Sequence, residues 1–244
     1  MSHGSPFRLS LGCSALALAT ALVVSPAAAQ SFQGSGSVTF GAAEIAVGSG
    51  TTDVSIYSPS AVIDWTPTDT AISNGSPIAF QPAGTTATFT GANGNFAVLN
   101  RIVPTDTTRP ASFDGTVLSQ FVSNNAVFRG GEIYFYSPGG IVVGANAVFN
   151  IGSLFLTSAP PVVNANGSFV VNNTITLGQA SSASAVRILP GAQIIAESPA
   201  NYVAAFAPYV EQNGTINANG RLALVAGEAG TLTYQPGGLL SIEV

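Results

Sequence analysis

Lysine does not occur in this chain of 244 residues, and its six cations are all arginine: Arg8, Arg101, Arg109, Arg129, Arg187 and Arg221. Charged residues make up only 7% of the sequence. Disorder driven by charge is excluded, because 46% of the residues are hydrophobic, an ordinary share for a folded protein. The formal net charge is -5, and five arginines remain beyond residue 30. That balance leaves no basic footprint for a phosphate backbone, so nucleic acid is excluded as a partner. Cysteine and histidine each occur once, as Cys13 and His3. Long stretches with helical periodicity are also missing beyond residue 30.

Both rare residues fall in a segment with its own logic. Arg8 gives a positive start, and an apolar stretch rich in Ala and Leu runs from Leu9 to Val24. Pro26 ends it, and Ala27, Ala28 and Ala29 supply the small-x-small pattern that signal peptidase reads. Residues 1–29 are therefore expected to be a signal peptide cut between Ala29 and Gln30, leaving one domain over residues 30–244. Cys13 lies at the start of the apolar stretch, where a lipidated cysteine would have to follow it. The processed chain then has neither Cys nor His. Disulfides, thiolate zinc sites, His-based triads and cysteine nucleophiles are excluded with them. The acidic residues Asp53, Asp64, Asp69, Asp106 and Asp114 show no calcium-loop spacing and follow no catalytic phrase. We expect no enzyme activity, no metal and no cofactor.

What is present is a β vocabulary. Short β-branched or aromatic runs recur: Val38 to Phe40, Ile133 to Tyr136, Ile141 to Val143, Ser168 to Val171 and Leu222 to Val225. Turn dipeptides such as Asn93-Gly94, Pro138-Gly139, Pro190-Gly191 and Asn213-Gly214 separate them. Two architectures fit: an antiparallel sandwich, or a parallel β-helix whose coils stack. Imperfect repeats favour the helix. Asn125-Ala126-Val127-Phe128 returns as Asn146-Ala147-Val148-Phe149, and Asn164-Ala165-Asn166-Gly167 as Asn217-Ala218-Asn219-Gly220. Coils of roughly 20 to 25 residues would number on the order of 9. They would build a rod about 45 Å long at the usual strand spacing. The apolar, strand-like C-terminus from Leu239 to Val244 shows no cap, so a further segment is expected to follow and the chain to be truncated there.

Several phrases, in order, resemble the secretion domain of two-partner-secreted exoproteins, the filamentous haemagglutinin family. Ala61-Val62-Ile63-Asp64-Trp65 resembles its Ile-Asn-Trp phrase, with Asp64 in place of Asn. Ile78 to Pro82 resembles Val-x-Phe-x-Gln-Pro, and Leu99-Asn100-Arg101-Ile102 resembles Leu-Asn-Arg-Val. The stretch from Gly131 to Ala145, with Ser137-Pro138-Gly139-Gly140-Ile141 at its centre, resembles the Asn-Pro-Asn-Gly-Ile element, and Tyr202 to Gly227 looks like the rung that follows. Two departures stand out. Two Asn side chains of the Asn-Pro-Asn-Gly element are missing, and an earlier Asn-Pro-Asn-Leu element is not visible.

The resemblance implies a right-handed parallel β-helix with an N-terminal cap. It implies a dedicated outer-membrane barrel transporter with periplasmic capture domains, and a secreted or cell-surface destination reached through the periplasm. It marks Leu99, Asn100, Arg101, Ser137, Pro138, Gly139, Gly140 and Ile141 as the transporter-recognition and folding motif. Any adhesive contact with a host or neighbouring cell would lie in downstream repeats. Arg101 is expected to serve as a transporter contact or, more simply, as a cation satisfied by carbonyls or a carboxylate. Trp65 is expected to stack on a sugar or to pack under the cap. A polysaccharide-acting β-helix enzyme and a classical autotransporter passenger are the competing readings. The first needs clustered Asp, Arg or Lys, and the second needs a C-terminal membrane barrel.

Overall fold

The computed structural model describes residue 1 and residues 30–72, 75–170, 173–235 and 239–244. The expected signal peptide lies outside the described residues, as does Ala29 of its cleavage junction; Gln30 lies within them.

The chain is a parallel β-helix. It opens with three strands, β1 (Gly34–Phe40), β2 (Ala43–Gly48) and β3 (Thr51–Ile56). The first coil is β4 (Ser60–Pro67), β5 (Ile78–Gln81) and β6 (Thr86–Gly91). The second is β7 (Ala97–Ile102), β8 (Ala111–Phe113) and β9 (Thr116–Ser123), followed by β10 (Ala126–Arg129). The third is β11 (Glu132–Tyr136), β12 (Gly140–Val143) and β13 (Val148–Asn150). The fourth starts with β14 (Ser153–Thr157), leaves the helix for β15 (Thr174–Leu177) and returns as β16 (Ala185–Ile188) and β17 (Gln193–Ala196). The fifth is β18 (Tyr202–Ala207), β19 (Tyr209–Gln212) and β20 (Thr215–Ala218). A sixth coil begins with β21 (Arg221–Ala226), after which β22 (Gly230–Gln235) and β23 (Leu239–Glu243) turn away from the axis.

Successive coils pair in parallel along three faces. The first face runs β4-β7-β11-β14-β18-β21, the second β5-β8-β12-β16-β19, and the third β3-β6-β9-β13-β17-β20. The cap is antiparallel: β1 adds to β4 and β2 to β3. Strand alternation explains the core. On β7, Val98, Asn100 and Ile102 point inward, while Leu99 points to the opposite face. Inward residues of the three faces form one continuous core. A second apolar layer lies outside the first face, where Val62, Leu99, Tyr134 and Phe155 meet Phe169 and Leu232 of the extra-helical segments. That layer includes an antiparallel sheet, β15-β22-β23.

Three expectations are corrected here. Five full coils are present among the described residues, rather than about nine. Coil length is uneven: the first face pairs Ala61 with Val98, Ile133 with Leu154, and Leu154 with Val203. Loops, the β9–β10 hairpin and the excursion carrying β15 absorb the remaining residues. The internal repeats are not equivalent rungs. Val127 and Phe128 sit on a protruding antiparallel hairpin and are exposed, whereas Phe149 fills the core. Asn164 and Gly167 close a turn outside the helix, whereas Asn217 and Ala218 belong to β20. Ser168, Phe169 and Val170 form no strand, Phe169 being held by packing over Tyr134 instead; Val171 lies outside the described residues.

Candidate functional site

The base of the solenoid is closed by the first residues after the expected cleavage junction. Ser31 and Phe32 are fully buried. The Phe32 backbone N–H donates to Thr52 Oγ1 at 3.0 Å, and the Gln33 N–H donates to the Phe80 carbonyl at 2.7 Å. Gln81 ties the same segment down through Nε2, which donates to Ser31 Oγ and to the Thr116 carbonyl. The Phe32 ring stacks on Phe80 at 4.8 Å and meets Trp65 edge-on at 5.1 Å. It also reaches Phe89, Phe113 and Phe135, so one side chain touches aromatics from three successive coils.

The Leu99-Asn100-Arg101 phrase occupies the middle of this construction. Asn100 is fully buried. Its Oδ1 accepts from Trp65 Nε1 at 3.0 Å in the coil below, and its Nδ2 donates to the Tyr134 carbonyl at 3.2 Å in the coil above. One amide thus clamps three coils, and the buried indole N–H gains the partner it needs. Trp65 is fully buried and has no face for a sugar. Leu99 points outward into the second apolar layer. Arg101 forms a two-pronged ion pair with Asp64, its register partner on β4: Nε to Oδ1 at 2.6 Å and Nη2 to Oδ2 at 2.7 Å. Asp64, where the resembling phrase has Asn, is thereby matched to the cation beside it.

The Ser137-Pro138-Gly139-Gly140 turn is wedged between coils. The Gly140 N–H donates to the Ser137 carbonyl at 3.0 Å. Gly140 has φ +106°, and a Cβ there would stand 2.2 Å from the Ala185 carbonyl oxygen of the next coil. A Cβ on Gly139 would stand 2.2 Å from the Arg109 carbonyl oxygen of the previous coil. Ser137 is fully buried with its hydroxyl unpartnered among the described residues, and Ile141 sits in the core. Pro138 and Gly139 are half-buried, and Gly139 lines a groove of about 350 Å³ along the second face together with Pro110, Val142 and Arg187.

Below that turn, Arg109 staples the loop between β4 and β5. Its guanidinium pairs with Asp69 at 2.7 Å and donates to the Ser76 and Ala71 carbonyls. The hydrogen bond from Arg109 holds the Asp69 carboxyl below the usual carboxylate range. The structure therefore brings Leu99, Asn100 and Arg101 together with Asp64 and Trp65, and places the Ser137–Gly140 turn at a separate corner.

Sequence reading missed two arrangements. The Phe32 plug carries no motif. The second is a polar cluster under the outer layer. Tyr134 donates to the Glu132 carboxylate, and the Tyr202 hydroxyl lies 2.6 Å from the Tyr134 oxygen and 3.1 Å from Glu132 Oε2. Burial pushes both phenols well above their ordinary pKa; the charges of Tyr202 and Glu132 add to it at Tyr134, and the charge of Glu132 adds to it at Tyr202, where the hydrogen bond with Tyr134 works the other way. The spacing of Glu132 and Tyr134 on one strand was the available signal, since i and i+2 share a face. Among the described residues, no group of three His, Cys, Asp or Glu side chains is placed to hold a metal ion.

No family model matches the chain, and no curated protein matches it in sequence. A solved structure does: the HMW1 secretion domain from Haemophilus influenzae, with a TM-score of 0.63 at 18% identity. The match covers 86% of this chain and 48% of that one, so this chain spans about half its length. At that identity the likeness shows the fold, a β-helix shared with a two-partner secretion domain.

Proposed function

We propose that residues 30–244 are the secretion domain of a two-partner-secreted surface exoprotein. The domain directs export through a dedicated outer-membrane barrel transporter and nucleates β-helix folding outside the cell. The observation that supports this best is the joint one: a capped parallel β-helix similar to the HMW1 secretion domain, in which the Leu-Asn-Arg phrase clamps three coils. Its work is translocation and folding, not catalysis.

Burial suggests when the transporter reads the chain. Leu99, Asn100, Ser137 and Ile141 are inaccessible once the helix forms. Recognition of that motif therefore precedes folding, while the segments are extended and offer unpaired backbone for strand addition to the periplasmic capture domains. Folding outside then removes those edges and makes passage one-way, with the Phe32 plug and the aromatic coils as the nucleus.

The test is co-expression of residues 1–244 with an outer-membrane barrel transporter of the two-partner type from the same genome. Folded product, cut at Ala29–Gln30, should appear in the medium only when the transporter is present. Retention in the periplasm despite a functional transporter would overturn the reading.

A further inference from the structure

A cleft of about 370 Å³ runs along the corner where the chain enters the first face. Its floor is a register ladder from four successive coils: Ser60, Ala97, Glu132 and Ser153. Such a ladder offers one position every ~4.8 Å, close to the advance of one sugar ring along a glycan. The lining also includes Asn95, Asn201 and Tyr234, the last from the extra-helical layer. The volume lies in the usual range for a small-molecule site.

We propose that this cleft binds a short, uncharged oligosaccharide laid along the helix axis. The polar groups are of the neutral kind that pairs with hydroxyls. Among the described residues the Ser60 hydroxyl and the Asn95 and Asn201 side-chain amides have no partner. Glu132 is the one charged group in the lining. Its Oε2 is engaged by Tyr134 and Tyr202, which fixes the carboxylate and leaves Oε1 to accept from a ligand hydroxyl. No arginine lines the cleft, so an acidic sugar would meet an unopposed negative charge. Tyr234 supplies the apolar platform. Its hydroxyl donates to the Ala200 carbonyl at 3.3 Å, and its ring lies 5.7 Å from that of Tyr202, which holds it at the cleft wall. The cleft binds without cutting, because glycoside hydrolysis takes a pair of carboxylates and the lining has one.

Calorimetry of the folded chain with maltotriose, cellotriose and trigalacturonate tests this, each taken to about 20 mM to reach weak affinities. Saturable binding of one of the two neutral trisaccharides, with none of the acidic one, is the expected result. Glu132→Gln should weaken it about tenfold. Because that change also touches the tyrosine pair, Asn95→Ala with Asn201→Ala is the second variant. It should weaken binding about fivefold with an unchanged melting temperature. Absence of saturation with both neutral sugars would overturn the proposal. So would equal binding of trigalacturonate, or unaltered affinity in the double Asn variant.

Discussion

The two ends of the solenoid use the same inward-facing pattern with opposite results. At the base, Phe32, Trp65, Phe80, Phe89, Phe113 and Phe135 are all fully buried. At the far end, Leu222 and Leu224 occupy the inward positions above Val203 and Ala205, yet Leu222 is 51% and Leu224 37% exposed. The base has a plug and an antiparallel cap beneath it. The far end has no coil stacked beyond β19, β20 and β21 among the described residues. Burial in a stacked fold therefore depends on neighbours along the axis more than on a coil's own composition. Stability should be concentrated at the base and fall toward β21.

The largest effect should come from removing the plug. Phe32→Ala should destabilise the chain by about 3–5 kcal/mol in urea denaturation, the range for a fully buried phenylalanine. A loss under about 1 kcal/mol would mean that the base does not depend on its plug. Next is Asn100→Ala, which strands the Trp65 indole N–H and removes the amide's bond to the Tyr134 carbonyl. We expect a cost of about 2–3 kcal/mol. Adding Trp65→Phe should cost less than the sum of the single changes, because the indole then has no bond left to lose.

Alkaline titration probes the outer layer. Tyr134 and Tyr202 have raised pKa values in the folded state, from burial first and nearby charge second. A group with a raised folded pKa contributes its full stability below its unfolded pKa, about 10 for tyrosine. That contribution is lost as the pH climbs above about 10 toward the folded value. Melting temperature should drop there, and Tyr134→Phe with Tyr202→Phe should flatten the drop. An equally steep drop in the double variant would locate the alkaline sensitivity elsewhere.

Two smaller effects sharpen the contrast. Leu222→Ala at the open end should cost under about 1 kcal/mol by the same urea assay, since half its surface already meets water. Asp64→Asn with Arg101→Ala should cost about 1 kcal/mol or less, because the pair is about 30% exposed. High salt should narrow the difference from the parent chain in that last comparison.

How much was legible depended on whether a signal was local. Strand runs and Gly-containing turns are written in neighbouring residues, so Ile133 to Tyr136, Ile141 to Val143 and the Pro138-Gly139 turn appear where the residues put them. Repeats were misleading, because Val127-Phe128 and Val148-Phe149 share letters while only the latter has coils on both sides. Coil number was overestimated for the same reason, since an excursion such as the one carrying β15 reads locally like any other strand and turn.

The sequence alone determined the β class, the exclusion of thiol and imidazole chemistry beyond residue 30, and the Leu-Asn-Arg and Ser-Pro-Gly-Gly phrases. These follow from composition and short-range pattern, which need no folded partner to be read. Tertiary structure alone decided that Asn100 joins Trp65 to the Tyr134 carbonyl, that Phe32 seals the base, and that Glu132 gathers two tyrosines at the edge of a cleft. Each of those contacts joins residues from different strands. Only the register of the stacked coils brings them within bonding distance.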